Sequence, residues 1–134
     1  MEATNRQKIL VVEDDKTITR ALKVRLEALG FEVHAEERGI AGVNYAAANP
    51  LDLVVLDLRL PDINGYEVCK RLRHRYNSWA LPILMLTGMN EPIDQLRGFA
   101  HGADAYLTKP YDPGELLNTI RLLLGEMSAE QQIS

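Results

Sequence analysis

The 134-residue sequence predicts one α/β domain, a doubly wound parallel sheet of five strands with five helices on its two faces. Three observations carry that expectation. Short apolar runs rich in β-branched residues alternate five times with longer stretches of helical period. No linker interrupts the rhythm, and the length suits one domain. The composition, 46% hydrophobic and 25% charged, is that of a folded globule and argues against a disordered chain.

The elements follow in order. Lys8–Glu13 is an apolar run that stops at acid. Asp15 is placed to cap a helix whose stripe is Ile18, Leu22, Leu26 and Leu29, and Gly30 to end it. Phe31–Ala35 alternates like an edge strand. Gly39–Ala48 reads as a small-residue helix with Ile40, Val43 and Ala47 on one face, closed by Pro50. Leu51–Asp57 is a buried strand that again ends in acid, and Leu60–Gly65 carries turn residues before a helix over about Tyr66–His74. Pro82–Thr87 is the fourth strand. A loop through Gly88, Asn90 and Pro92 leads into a helix over about Ile93–Ala100. Ala103–Thr108 is a short fifth strand, and the last helix, from about Pro113 to Leu124, has the stripe Leu116, Ile120, Leu123, Leu124. The expected boundaries are an N-terminal extension over 1–7, the domain over 8–125, and a tail or start of a linker over 126–134.

Several function classes are excluded early. The net charge of −4 offers no basic field for nucleic acid, so no direct nucleic-acid binding is expected of this domain. The longest apolar stretches are about five residues, too short to span a membrane. Met1–Lys8 lacks the apolar core of a secretory signal, and the single cysteine, Cys69, allows neither an internal disulfide nor a cysteine-built metal site. The expected location is cytoplasmic.

The chemistry sits where strands end. In open parallel α/β sheets, ligands bind outside the carboxyl ends of the strands. Here those ends carry Glu13, Asp14 and Asp15, then Asp57, Thr87 and Lys109. Two carboxylates about 4 Å apart repel by roughly 4 kcal/mol at an effective dielectric near 20. Glu13, Asp14 and Asp57 together therefore call for a cation, and one lysine cannot neutralise all three. Oxygen ligands with open positions suit Mg²⁺, which keeps waters and bonds phosphoryl oxygens. A hydroxyl at Thr87 and an ammonium at Lys109 suit the remaining phosphoryl oxygens, which leaves Asp57, on the central strand, as the nucleophile.

Four segments in this order carry a resemblance: Val11-Val12-Glu13-Asp14-Asp15, Val55-Leu56-Asp57-Leu58-Arg59-Leu60-Pro61, Leu86-Thr87-Gly88 and Leu107-Thr108-Lys109-Pro110-Tyr111. The chain resembles the receiver domain of two-component response regulators over about residues 8–125. The resemblance implies a flavodoxin-like topology with strand order 2-1-3-4-5. It implies that Asp57 is the phospho-acceptor, that Asp14 ligates Mg²⁺ directly and Glu13 through water, and that Arg59 offers its backbone carbonyl. Thr87 and Lys109 then meet the phosphoryl group, Tyr106 is the aromatic whose rotamer follows Thr87, and the Lys109–Pro110 bond is cis. The implied partners are a histidine kinase or a histidine phosphotransfer protein on one side, and a downstream effector or covalently linked output domain on the other. A change over the fourth helix, fifth strand and fifth helix would carry the signal, and the chain would be a switch rather than a turnover enzyme.

Two rivals are weaker. An aspartate-nucleophile phosphatase typically has a second acid two residues after the nucleophile, where this chain has Arg59. A flavodoxin-like cofactor binder needs a Gly/Ser/Thr-rich phosphate loop where this chain has Glu13-Asp14-Asp15-Lys16. Among other conspicuous residues, His34, His74 and His101 lack metal-site spacing. Cys69 reads as core, Trp79 as loop packing, and Arg71, Arg73 and Arg75 as a solvated face. The segment Gly98–Asp104 resembles the winged-helix subfamily of regulators, whose receivers dimerise through charges. Glu115 and Asp104 are present, but Ala105, Thr119 and Glu126 replace three of those charges, so a weakened charged dimer is expected.

Overall fold

The structure, a computed structural model, describes residues 6–125. Its elements are β1 (Lys8–Val12), α1 (Lys16–Ala28), β2 (Glu32–Glu36), α2 (Gly39–Ala48), β3 (Leu53–Leu56), α3 (Gly65–Arg75), β4 (Ile83–Thr87), α4 (Pro92–Ala100), β5 (Ala105–Thr108) and α5 (Pro113–Leu123). All strand pairs are parallel, in the order β2-β1-β3-β4-β5. The register sets Val12 against Leu56 and Thr87 against Thr108, so the carboxyl ends of the strands open on one edge. The expected tail, 126–134, lies outside the described residues, as do the first five residues of the expected N-terminal extension.

Strand alternation divides the core in two. Ile9, Val11, Val55, Leu84 and Leu86 pack on Leu22 and Leu26 of α1 and Leu116 and Ile120 of α5. Leu10, Val12, Val54, Leu56 and Met85 face the other way, onto Ala46 of α2 and Val68, Cys69 and Leu72 of α3. Cys69 is thus core, as its sequence context predicts. Asp15 caps α1, its Oδ1 accepting from the amides of Thr17 (2.9 Å) and Ile18 (3.3 Å). Gly30 has φ of +98°, a conformation that ends the helix cheaply only for glycine.

Four expectations are corrected. The buried face of α2 is Gly39, Gly42 and Ala46, and Ile40 and Ala47 point outward. The reason is close approach: a Cβ on Gly42 would stand 2.8 Å from Val12 Cγ2, and one on Gly39 2.7 Å from Ile63 and Val68. Leu29 leaves the α1 stripe because it caps the helix C-terminus and is exposed. Trp79 is not packed in its loop but 97% exposed, on a turn where Asn77 accepts from the amides of Ala80 and Leu81.

Arg73 is not part of a solvated face. Its guanidinium bonds the carbonyls of Gly102 (2.8 Å), Tyr76 (3.2 Å) and Leu81 (2.6 Å) and the Asp104 carboxylate (2.6 Å). Asp104 also accepts from the Ile83 amide (2.8 Å). Arg71, by contrast, is exposed and pairs with Glu67 one turn away.

Candidate functional site

The β-ladder runs one residue past β1 and β3, since the Glu13 amide donates to the Glu36 carbonyl and the Asp57 amide to the Val12 carbonyl, both at 3.0 Å. Both acids are therefore fixed by backbone and buried, Glu13 at 3% exposure and Asp57 at 6%. Glu13 Oε2 accepts from the Asp15 amide (3.0 Å), while Oε1 takes the Lys109 ammonium (2.5 Å). Asp57 Oδ1 accepts from the amides of Leu58 (2.7 Å) and Arg59 (3.4 Å), and Oδ2 takes Lys109 Nζ (3.1 Å). Lys109 is aimed from the end of β5: its amide donates to the Thr87 carbonyl (2.8 Å), and the following bond to Pro110 is cis, as the resemblance implies.

Asp14 is exposed, yet one oxygen from each of Glu13, Asp14 and Asp57 lies within 4.8 Å of the others. Burial pushes Glu13 up to about 7, with the Asp57 charge adding and the Lys109 and Asp15 hydrogen bonds opposing. Burial alone would push Lys109 down, but the Glu13 hydrogen bond and the Asp57 charge outweigh it, so the ammonium is held above its ordinary value. Three carboxylates facing one ammonium leave negative charge uncompensated. An all-oxygen set with one exposed member fits a hard divalent cation.

The remaining predicted residues stand beside this cluster. Thr87 is fully buried, and its hydroxyl accepts from the Met89 amide (3.3 Å); among the described residues it has no hydrogen bond to Asp57. Tyr106 is buried, and its hydroxyl donates to the Met89 carbonyl (2.7 Å). Burial pushes that hydroxyl up to about 12, so it stays a donor. The Arg59 amide, but no side-chain atom of Arg59, is tied to Asp57.

A family model, the response regulator receiver domain, matches residues 9–121. The chain belongs to that family. Among curated relatives, the receiver is 41% identical over 117 residues to the DNA-binding dual master transcriptional regulator RpaA of Synechocystis, covering 87% of this chain and 48% of that protein. It is 39% identical to the response regulator ArlR of Staphylococcus saprophyticus, covering 87% of this chain and 52% of that one. The receiver thus spans about half the length of these relatives. Among solved structures it superposes on a CheY-like response regulator receiver domain protein of Methanospirillum hungatei with a TM-score of 0.85 at 30% identity, over 91% of this chain and 96% of that one. A putative response regulator of Chloroflexus aurantiacus gives 0.84 at 35% identity, over 90% and 99%. The phosphatase and flavodoxin-like readings gain no support from these relatives.

Sequence reasoning missed two supports of the receiver site. Asp62 caps α2 from a distance, accepting from the amides of Gly39 (2.8 Å) and Ile40 (2.9 Å), because Arg38 at the N-cap position makes no side-chain cap. Gly65 starts α3 so close to Asp57 that an added Cβ would lie 2.4 Å from the Asp57 carbonyl oxygen. The signal for Gly65 was present as a turn residue; Asp62 had none, since its partners lie 23 and 22 positions earlier.

Proposed function

We propose that this receiver is a phosphorylation switch whose acceptor is Asp57. The observation that supports it is the meeting of Asp57 with Glu13, Asp14 and Lys109 at the carboxyl edge of the sheet. A histidine kinase or histidine phosphotransfer protein presents phosphohistidine. An Asp57 carboxylate oxygen bonds to phosphorus in line as the phosphorus–nitrogen bond breaks, and the electron pair leaves on the imidazole nitrogen. Lys109, held by Glu13 and Asp57, stabilises the charge on the transferred group. Asp14, Asp57 and the Arg59 carbonyl, with Glu13 through water, are the groups that would hold Mg²⁺; when bound, it supplies charge neutralisation for the carboxylates and phosphoryl oxygens.

Thr87 then turns its hydroxyl toward the phosphoryl oxygens, and Tyr106 and α4 settle into the matching arrangement. The readout is the α4–β5–α5 surface, where Ile93, Leu96 and Phe99 are exposed. It acts on an effector protein or an output domain in the same protein. Asp104 is taken up by Arg73, and Ala105 and Thr119 carry no charge, which supports a weakened charged dimer. The switch region is 8–125, with 1–7 and 126–134 as its flanks, and its location is the cytoplasm. No described helix is long and apolar enough to cross a membrane. The chain assists its own phosphorylation without being a turnover enzyme.

The test is a mass gain of one phosphoryl group from acetyl phosphate, dependent on Mg²⁺ and lost in Asp57→Asn. No gain from acetyl phosphate or from a phosphohistidine donor overturns the reading.

A further inference from the structure

Under the phosphorylation reading, one link from Asp57 to α4 runs through Thr87 and Tyr106, and the contacts of the structure lay out a second. The other begins at Gly65, which lies against the Asp57 carbonyl and whose amide donates to the Leu58 carbonyl (2.8 Å). The next residue, Tyr66, is buried and reaches across to α4. Its hydroxyl donates to the Asp94 carbonyl (3.1 Å). The Arg97 guanidinium sits 4.6 Å from its ring centre, and the His101 ring 5.0 Å away. Asp94, Arg97 and His101 are spaced three and four apart, so one ring touches successive turns of one face of the helix. One turn further along α3, the Cys69 thiol donates to the His101 carbonyl (3.2 Å).

Tyr106 closes on α4 from the sheet side. Gly98 has room for no side chain, since a Cβ there would stand 2.9 Å from Met85 Sδ and 3.0 Å from the Tyr106 ring. The Tyr106 hydroxyl holds the Met89 carbonyl just before the helix. Two tyrosine hydroxyls thus fix the segment from Met89 to Asp94 at both ends, and both fix the same placement of α4, the one in which Tyr106 is buried. Burial also raises Tyr66 above its ordinary value, although Arg97 opposes, so the phenol remains a protonated donor.

We infer that Tyr66 is a positioning residue of the switch: through Gly65 and the Asp94 carbonyl it links Asp57 to α4 and favours the helix placement that accompanies an inward Tyr106. The inference deepens the phosphorylation reading and rests on it. A phosphoryl analogue on Asp57 draws on that placement, because Thr87 and the loop after it must settle over the analogue with Tyr106 inward. Mg²⁺ alone needs only the carboxylates and the Arg59 carbonyl and does not draw on α4. Tyr66 should therefore act on the first equilibrium and spare the second.

The experiment compares the parent receiver with Tyr66→Phe, which keeps the ring and removes only the hydroxyl. Beryllofluoride binding in saturating Mg²⁺ is titrated by amide NMR, and Mg²⁺ binding alone is titrated separately. The expected result is beryllofluoride affinity about fivefold weaker, the worth of one hydrogen bond of about 1 kcal/mol, with Mg²⁺ affinity within twofold of the parent. Arg97→Gln, on an exposed position, gives a second reading and should weaken beryllofluoride binding in the same direction by about twofold or more. Beryllofluoride affinity within twofold of the parent in Tyr66→Phe, or tighter, overturns the inference. So does an equal loss of Mg²⁺ affinity, which would make Tyr66 a mere support of the Asp57 loop. A parent that binds no beryllofluoride overturns the phosphorylation reading itself, and this inference with it.

Discussion

The two ends of the sheet each bury a cation against carboxylate, and they do so to opposite effect. At the amino end, Arg73 meets one carboxylate and three carbonyls, and Asp104 spends its charge on Arg73 and the Ile83 amide. Every partner is satisfied, with side chains 16% and 18% exposed. At the carboxyl end, Lys109 meets two buried carboxylates while a third stands nearby in solvent. One ammonium cannot balance that set, and Glu13 is pushed up to about 7 by its burial. The closed arrangement ties α3 to the start of β4 and the turn before β5. The open one has capacity left over, which is what a site for a divalent cation and a phosphoryl group requires.

Breaking the closed end should have the largest effect. Arg73→Ala leaves the Asp104 carboxylate and three carbonyls short of a partner in a partly buried setting. A loss of about 3–5 kcal/mol in urea unfolding is expected. Mg²⁺ should restore none of it, because the defect lies at the other edge of the sheet. A loss under about 1 kcal/mol would show that water replaces the guanidinium and that the end is not closed at all.

Next in size is Gly65→Ala, which tests how tightly the open end is framed. The added methyl would press on the Asp57 carbonyl and the Leu58 backbone, neither of which is the flexible end of a side chain. Overpacking of this kind costs about 2–3 kcal/mol and should abolish phosphorylation by acetyl phosphate through displacement of Asp57. Lys109→Ala then separates charge from frame. It removes the only ammonium bonded to Glu13 and Asp57 among the described residues. Glu13 can compensate by taking a proton, so the metal-free protein should lose only about 1–2 kcal/mol. Here Mg²⁺ should recover most of the loss, and melting curves with Mg²⁺ and with chelator will show whether it does.

These two ends were not equally legible in the sequence. The open end was readable because acids at Glu13 and Asp57 and a lysine at Lys109 close apolar runs that have no packing use for them, and Thr87, unremarkable alone as a strand former, adds a hydroxyl at a fourth strand end. The order of the strands then brings them together. The closed end was hidden because a basic residue in the last turn of a helix is the ordinary complement of the helix dipole. Nothing local marks Arg73 as different from Arg71 and Arg75; its partners Gly102 and Asp104 lie 29 and 31 positions away. The face of α2 failed for a related reason. Hydrophobic periodicity favours Ile40, whereas the packing uses glycine, whose contribution is the absence of a side chain. Trp79 went the other way, since an aromatic side chain in a loop is ordinarily packed and this one is held out on its turn.

Asp62 gives the smallest effect and the sharpest test of how far the open end is fixed. It lies between Asp57 and α3, yet it caps α2, so the loop after Asp57 is pinned to the helix that packs beside α3 on β1. Its slight burial raises its pKa, but hydrogen bonds from the Ile40 and Gly39 amides outweigh that and hold it down at about 2. A carboxyl whose folded value lies below its ordinary one adds stability above that ordinary value and loses it as pH falls through the folded one. Asp62→Ala should therefore cost about 1 kcal/mol, as other lost caps do, by a steady amount between about pH 7 and 5. The gap from the parent should then narrow between about pH 4 and 2, as the parent's own carboxyl takes up its proton. Urea midpoints across that range measure it. A gap that stays constant down to about pH 2 would mean that shape rather than charge holds the loop, and the pinning would then owe nothing to the α2 dipole.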